Sequence, residues 1–259
     1  MPTEKAGHAM ADARFMLMRE TDPDCVDIMA QEDDVHVVHA MARQILLDLG
    51  VIRMSYHFTP PFHSQTSERT IIYSLGFPEA WLRKYNDPEF RKRDPIPDII
   101  MAQHDYMSWE RALALCPNRT RAERWRAELA EFDLLDGIGI PVYGPGGRDA
   151  YSAFAIGRPF TQKDRPLIRR IREVAQTTHL RTAHLVLEEI NHGTQLSMRE
   201  TEVLSWVIAG KSRNDIATIL AISNASVDTY LRRIFEKLEV NDRIKASLRA
   251  LSRGLILLD

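Results

Sequence analysis

The spacing of apolar residues changes several times along this 259-residue chain. Residues 32–49 repeat apolar side chains every three to four positions, which predicts a helix that ends at Gly50. Residues 51–59 and 68–75 instead alternate apolar and polar side chains, and Pro60-Pro61 separates them. We therefore expect a strand, a turn and a second strand after the helix.

The same patterns continue through the middle of the chain. Helices are predicted at residues 79–85, 96–103, 118–132 and 162–190. Two further strands, at 137–143 and 150–156, flank a Gly-Pro-Gly-Gly-Arg-Asp turn. Helices interleaved with hairpin strands predict an α+β domain, an α-β-α sandwich around an antiparallel sheet.

The last quarter of the chain carries helix signals only. Ser197 and Glu200 have the spacing of a capping box, and Gly210 ends the helix that they begin. Three further helices are expected after Ser212, after Ser223, and after Asn241 or Asp242. This order predicts an all-α domain of four helices, in which a tight turn joins the second and third as a helix-turn-helix.

These elements divide the chain into four parts: an N-terminal arm (1–25), an α+β domain (26–190), a linker (191–195) and the helical domain (196–259). No apolar run approaches the roughly 18 residues that span a bilayer, so we expect no membrane partner. Cys25 and Cys116 are the only cysteines, which is too few for a disulfide framework or a zinc site and favours a reducing cytoplasm.

Charge separates the two ends of the chain. The net charge is −2, yet residues 195–259 hold ten Lys and Arg against eight Asp and Glu. A basic end that contains a helix-turn-helix favours DNA as the partner. The candidate DNA-binding residues lie on or beside the third helix: Lys211, Arg213, Ser226, Asp228, Thr229, Arg232, Arg233, Lys237 and Arg243.

Two kinds of contact are expected from this set. Arg232 is the best candidate for a bidentate bond to guanine, whereas Ser226, Lys211, Arg213 and Arg243 suit phosphate contacts that set the register. Asp228 has two interpretations: it accepts a hydrogen bond from a cytosine amine, or it repels phosphate and lowers non-specific affinity.

A second set of residues in the α+β domain suits a small molecule. Trp81 and Tyr85 are one helical turn apart and share a face. Asp94, Trp109, Trp125 and Gly137 follow. Taken alone, aromatic residues at this spacing are more often core than binding site, so both interpretations stay open.

The sequence resembles the LuxR family at both ends. The C-terminal resemblance rests on Leu196, Glu200, Leu204, Gly210, Ile216, Ala217, Leu220, Ser223, Val227, Ile234, Lys237, Leu238, Arg243, Ala246, Gly254, Leu255 and Ile256. The α+β domain is similar to the family's autoinducer-binding domain in Trp81, Tyr85, Asp94-Pro95, Trp109 and Gly137, with Trp125 at a position kept aromatic. The resemblance implies an N-acyl-homoserine lactone as ligand and no other cofactor. It also implies a homodimer on an inverted-repeat operator, with RNA polymerase as a further partner.

The resemblance assigns chemistry to the second set. Trp81 would donate to the lactone carbonyl, Asp94 would accept from the amide N–H, and Tyr85 would donate to the amide carbonyl. Trp109 and Trp125 would wall the ring, and Gly137 would leave room where a Cβ would intrude. An empty pocket would leave Asp94 unpaired, at a cost in stability.

Tyr73 and Phe77 complete the candidate ligand residues. Phe77 and Phe90 stand where relatives often have a tyrosine hydroxyl. The missing hydroxyls predict a ligand that differs from the common oxo-acyl type at or beyond its third carbon.

The sequence disfavours two other functions and leaves a third open. An enzyme is disfavoured because the sequence has no Gly-rich phosphate loop, no GxSxG and no HExxH motif. A phosphorylated receiver is disfavoured because Asp33-Asp34 precede a helix rather than end a strand. A LuxR-type solo that senses a non-lactone compound remains the closest alternative, although Trp81 and Tyr85 argue mildly against it.

Overall fold

The structure, a computed structural model, describes residues 24–61, 63–191 and 195–256. The predicted arm lies outside these residues except for Asp24 and Cys25, which begin the first helix, and most of the predicted linker lies outside them too. The helices are α1 Asp24–Gln31, α2 Val35–Asp48, α3 Glu79–Tyr85, α4 Pro88–Arg91, α5 Ile96–Gln103, α6 Trp109–Ala114, α7 Arg119–Glu131, α8 Arg165–Asn191, α9 Met198–Ile208, α10 Arg213–Ile219, α11 Asn224–Leu238 and α12 Arg243–Ser252. The strands are β1 Arg53–Phe58, β2 Ile71–Leu75, β3 Met107–Ser108, β4 Ile138–Val142 and β5 Ala150–Ala155, and two 3₁₀ turns occupy Pro145–Gly147 and Gln162–Asp164.

The strands form one antiparallel sheet in the order β2-β1-β5-β4-β3. Its register aligns a row of small residues across four strands: Ser74 pairs with Ser55, Ser55 with Ala153, and Ala153 with Gly139. Because neighbouring residues in such a row project from the same face, the row leaves a shallow floor on one side of the sheet.

Helices cover both faces of the sheet. On one face Tyr56 of β1 reaches His179 of α8, with 2.6 Å between the hydroxyl and Nδ1, and its ring also contacts His39 of α2. On the other face α3 to α7 bury an aromatic cluster that includes Trp81, Trp109 and Trp125. The predicted α-β-α sandwich with an antiparallel sheet is thereby confirmed.

Besides α1, which was not predicted either, three shorter elements of this domain were not predicted. Pro88–Arg91 forms a single helical turn that begins at the N-cap Asp87, β3 has two residues, and Trp109–Ala114 begins at the N-cap Ser108. None is long enough to repeat a hydrophobic period, so capping is the only sequence signal that could have identified the two helices.

The C-terminal helices follow the predicted caps. Ser197 and Ser212 form complete capping boxes with Glu200 and Asp215, Ser223 caps α11, and Asp242 rather than Asn241 caps α12. Gly210 has φ +76°, and the turn between α10 and α11 has Ala221 at φ 51°. The expected four-helix domain with a helix-turn-helix is confirmed.

The chain divides into two compact units at a point inside α8, between Ala183 and His184. The second unit has its own apolar core, in which Leu204, Ile216, Val227, Ile234 and Leu238 are fully buried. Among the residues that the structure describes, no helix is both long enough and apolar enough to cross a membrane.

Candidate functional site

Seven of the eight predicted ligand residues lie at one place in the α+β unit. A cavity there is lined by Ser55, His57, Ser74, Phe77, Trp81, Tyr85, Asp94, Ile96, Trp109, Trp125, Leu129, Tyr151 and Ala153. Gly137 lies directly behind the Trp109 ring. The small-residue row of the sheet forms the floor, and helices α3, α5, α6 and α7 form the walls.

Asp94 is the acidic group of this cavity and is only 5% exposed. It accepts from the Tyr85 hydroxyl at 2.8 Å through Oδ2 and from the Ile96 N–H at 2.9 Å through Oδ1. Burial raises the pKa of the Asp94 carboxyl to about 7, although these two hydrogen bonds oppose the shift. The expectation that Asp94 is unpaired in an empty pocket is therefore wrong, because Tyr85 supplies a partner from within the chain.

Trp81 stacks on Tyr85, with 5.5 Å between ring centroids, and both project from one face of α3 as their spacing predicts. The Trp81 ring also meets Trp125 and Phe90 edge to face. Within the described chain nothing accepts a hydrogen bond from the Trp81 indole. A donor and an acceptor, Trp81 and Asp94, thus line one small aromatic cavity.

Trp109 is fixed by two contacts. Its Nε1–H donates to the Tyr151 hydroxyl at 2.9 Å. A Cβ at Gly137 would lie 2.5 Å from three atoms of the Trp109 ring, so only glycine lets the ring pack there. The space that Gly137 leaves is filled by Trp109 itself.

Sequence reasoning missed four polar side chains of the cavity: Ser55, Ser74, His57 and Tyr151. His57 is 1% exposed and holds Gln65 O at 3.2 Å through Nδ1, and burial lowers its pKa to about 4. Tyr151 lies over Gly139, where a Cβ would be 2.4 Å from its ring. Their places in alternating strands were the available signal: His57 and Tyr151 pair across β1 and β5 on the face of Ser55 and Ala153.

Tyr73 corrects one of the predicted ligand residues. It is 52% exposed and stacks on His39 on the opposite face of the sheet, since strand alternation separates it from Ser74. It lines a second cavity of about 250 Å³ beneath α2, with mainly apolar walls. It does not line the cavity of Trp81 and Asp94.

The cavity of Trp81 and Asp94 is small. Its volume is about 30 Å³, whereas one water needs roughly 10–15 Å³ on this measure. An acylated lactone is much larger than two waters. A ligand of that size therefore requires side chains to move as it enters.

Six of the nine predicted DNA-binding residues are exposed, and Ser226, Thr229 and Arg243 are half-buried. Asp228, Arg232 and Arg233 are exposed on α11, whereas Thr229 is half-buried and bonds back to Ala225 O at 2.9 Å. Arg232 pairs with Glu236 at 3.1 Å along its own helix. An exposed pair of this kind is worth less than about 1 kcal/mol, so Arg232 can exchange its partner cheaply.

Two of the candidates are joined across the helix-turn-helix. Arg213 of α10 pairs with Asp228 of α11, with 2.9 Å between Nη1 and Oδ2. The Asp228 charge is therefore partly neutralised from within the chain, which neither interpretation of this residue anticipated.

Lys237, which is predicted to contact DNA, also has a partner within its own unit. Its ammonium donates to Glu200 Oε2 at 2.7 Å and to Gln195 O at 2.8 Å, and the Glu200 side chain is only 3% exposed. A buried carboxylate needs such a partner, so the α9–α11 packing engages Lys237 as a structural residue. Ser226 bonds to the Ser223 hydroxyl at 2.9 Å and stays close to the helix N-terminus, where phosphate is favoured.

Comparison with known proteins agrees with both halves of this description. The family model described as "Autoinducer binding domain" matches residues 34–182, and that described as "Bacterial regulatory proteins, luxR family" matches residues 194–250. Together they cover the cavity and the helix-turn-helix.

Individual relatives share modest identity. The putative HTH-type transcriptional regulator y4qH of Sinorhizobium fredii is 29% identical over 183 residues, 70% of this chain and 56% of the relative. The transcriptional activator protein AhyR of Aeromonas hydrophila is 26% identical over 188 residues, 70% of this chain and 71% of the relative.

Solved structures share the fold. Escherichia coli SdiA aligns with a TM-score of 0.69 and 20% identity over 89% of this chain and 95% of that one. SdiA in complex with octanoyl-rac-glycerol aligns with a TM-score of 0.61 and 20% identity over 98% of this chain and 97% of that one. The chain belongs to the LuxR family of bacterial transcriptional regulators, with an autoinducer-binding domain followed by a DNA-binding helix-turn-helix.

Proposed function

We propose that the chain binds an N-acyl-homoserine lactone in the cavity of Trp81 and Asp94 and, as a homodimer, controls quorum-sensing genes through an inverted-repeat operator. The observation that carries the proposal is the buried Asp94 carboxyl, 5% exposed, in a cavity walled by Trp81, Tyr85, Trp109 and Trp125. An amide N–H is a donor that such an acceptor selects.

The remaining polar groups suit the other end of an acylated lactone. The Trp81 indole donates to the ring carbonyl. The single Tyr85 hydroxyl proton, which Asp94 accepts in the ligand-free structure, turns to the amide carbonyl when the ligand N–H bonds to Asp94. The surrounding aromatic rings bury the apolar parts of the ligand, and indole and phenol groups combine such contact area with one polar handle. Phe77 lines the acyl side without a hydroxyl.

The second candidate function is that of a solo regulator with a non-lactone ligand. The complex of SdiA with octanoyl-rac-glycerol favours it, since that protein has a similar fold. A monoacylglycerol offers hydroxyl groups and an ester but no amide N–H, so a hydroxyl would take the place of the amide N–H at Asp94.

A binding panel tests the proposal. Purified protein is titrated with N-butanoyl-, N-octanoyl- and N-dodecanoyl-homoserine lactone, with the matching 3-oxo lactones, and with octanoylglycerol. We expect at least one lactone to raise the melting temperature, because a ligand that binds only the folded state stabilises it by mass action. We also expect unsubstituted lactones to bind better than 3-oxo lactones.

Two variants locate the site, and a third serves as control. Trp81→Phe and Asp94→Asn should each weaken lactone binding, whereas Trp206→Phe, in the second unit, should not. A shift with octanoylglycerol and none with any lactone would replace the proposal with the solo regulator.

DNA recognition has its own test. Because one helix-turn-helix is small for tight binding, we propose that two copies bind half-sites one helical turn apart. Arg232→Ala should cost about 1–3 kcal/mol on the selected operator and relax its base preference. Lys211→Ala should instead weaken binding to all sequences equally, as loss of a phosphate contact does.

A further inference from the structure

The Trp125 indole is an anomaly in this cavity. Among the residues that the structure describes, its Nε1 is the one buried side-chain nitrogen or oxygen without a hydrogen-bond partner. The side chain is 2% exposed and lines the same cavity as Trp81 and Asp94. A buried donor left unpaired costs about 1–3 kcal/mol, and such groups are rare in folded proteins.

The hydrogen bonding of two other indoles of the cavity, Trp109 and Trp81, can be compared with that of Trp125. The N–H of Trp109 is satisfied by the Tyr151 hydroxyl. Trp81, whose ring centroid lies 5.8 Å from that of Trp125, has no acceptor among the described residues either. Trp81 and Trp125 are therefore neighbouring indoles that line the same cavity, and neither has an acceptor among the described residues.

One oxygen atom can satisfy both donors, because a carbonyl oxygen has two lone pairs. We propose that Trp125 is a second donor to the ligand, so that Trp81 and Trp125 together hold the carbonyl oxygen of its ring. This rests on the proposed function and deepens it, since a ring without an exocyclic carbonyl leaves both donors unpaired. The head group of the ligand is therefore a ring that carries a carbonyl oxygen, as a homoserine lactone does, rather than a plain hydrocarbon ring.

The rival explanation is a contact between the Trp125 N–H and the face of Phe90, whose ring centroid lies 5.2 Å away at a 47° tilt. An N–H···π contact is weak and would give Trp125 no dependence on the ligand. Trp125→Phe distinguishes the two, because it keeps an aromatic wall and removes only the donor and part of the ring.

The experiment is a double-mutant cycle on the full-length protein. Wild type and Trp125→Phe are each titrated with N-octanoyl-homoserine lactone and with N-octanoyl-cyclopentylamine, which lacks the ring carbonyl. We expect the substitution to weaken lactone binding by about three- to tenfold and to change binding of the cyclopentylamide by less than about twofold. Equal weakening of both ligands, or no weakening of either, overturns the assignment of Trp125.

The melting temperature of the ligand-free protein provides a second readout, because Trp125→Phe should not lower it although the same substitution weakens lactone binding. Removing an unpaired buried donor relieves its cost, so Trp125→Phe should keep or raise the melting temperature of the ligand-free protein. Trp109→Phe is the matched control: it removes a partnered indole, orphans the Tyr151 hydroxyl, and should lower the melting temperature. If both variants lower it equally, the Trp125 donor is satisfied within the chain and the inference fails.

A measurement on unsubstituted protein covers the case in which Trp125→Phe does not fold. In tryptophan labelled with ¹⁵N, the Trp125 indole proton should move downfield on addition of the octanoyl lactone and not on addition of the cyclopentylamide. If lactone binds and the resonance does not move, the inference about Trp125 is wrong and the proposed function stands. If no lactone binds the wild type, both the proposed function and the inference are wrong.

Discussion

The Tyr85 hydroxyl donates to Asp94 Oδ2 at 2.8 Å, and both side chains are buried. This bond gives the buried carboxyl a partner that a ligand can share or replace. The domain tolerates an acidic group against three tryptophan rings because both carboxyl oxygens are bonded: one accepts from Tyr85, and the other accepts from the Ile96 N–H. The cavity is thus electrostatically prepared for a ligand N–H before any ligand enters.

The pKa of Asp94 predicts how stability without ligand depends on pH. Because burial raises this pKa from 3.8 to about 7, the folded state binds more protons than the unfolded state between these values. The contribution of Asp94 to stability should therefore fall as pH rises through that window. Asp94→Asn is the control, and melting temperatures of the two proteins should converge as pH is lowered.

Ligand affinity should have the opposite pH dependence. An amide N–H that donates to Asp94 favours the ionised carboxylate, so lactone affinity should fall below pH 7 by at most about tenfold per pH unit. Three other titratable side chains line the cavity with Asp94, and none ionises near pH 7: burial lowers the pKa of His57 to about 4, and the pKa values of Tyr85 and Tyr151 are raised well above 10.0. An identical pH profile for Asp94→Asn would contradict this origin.

Gly137→Ala tests how tightly the Trp109 wall is positioned. The added Cβ would lie 2.5 Å from the ring, so we expect a loss of about 1–3 kcal/mol in stability together with weaker lactone binding. Gly50→Ala is the comparison, because Gly50 has φ +82° and open space around its Cβ position. It should lower stability through backbone strain while lactone affinity stays unchanged.

Much of this architecture follows from local patterns, and the exceptions have physical causes. The α3 and α5 boundaries match their predicted residues because Pro78 and Pro95 precede periodic runs. Type and spacing identified Trp81, Tyr85 and Asp94 only as candidates, and the family resemblance favoured a binding site over a core. Strand alternation indicated the faces of Tyr151 and His57, but their meeting depends on a strand pairing between residues about 94 positions apart, which no local pattern encodes.

The same distinction explains the corrected ligand residue Tyr73 and the contact of Lys237 that the sequence did not predict. Tyr73 stands next to Ser74 in sequence, but strand alternation sends the two side chains to opposite faces. Lys237 resembles a DNA contact by charge alone, and only the packing of α11 on α9 brings it to Glu200. Long-range packing, rather than residue type, decides both cases.

Asp228→Asn separates the interpretations of that residue. The pair with Arg213 across α10 and α11 implies that Asp228 restrains a positive charge at the DNA-facing surface. Asp228→Asn should release Arg213 and strengthen binding to non-specific duplex. The salt dependence of the DNA affinity should steepen by about one phosphate contact. Loss of operator affinity with unchanged non-specific binding would instead favour a hydrogen bond to cytosine.

Lys237→Met should destabilise the second unit rather than weaken DNA contacts directly. It leaves Glu200 buried without its ammonium partner, which costs more than about 1 kcal/mol. Lys245→Met is the control, since Lys245 pairs with Asp242 at an exposed position. Hydrogen exchange of peptides from residues 196–256 should accelerate in the first variant and stay unchanged in the second.

A crystal structure with bound N-octanoyl-homoserine lactone would show whether the lactone occupies the cavity of Trp81 and Asp94. We predict that the amide nitrogen lies about 3 Å from an Asp94 carboxyl oxygen and the ring carbonyl oxygen about 3 Å from Trp81 Nε1. Ligand density in the cavity of about 250 Å³ beneath α2, with the bond between Tyr85 and Asp94 undisturbed, would contradict it.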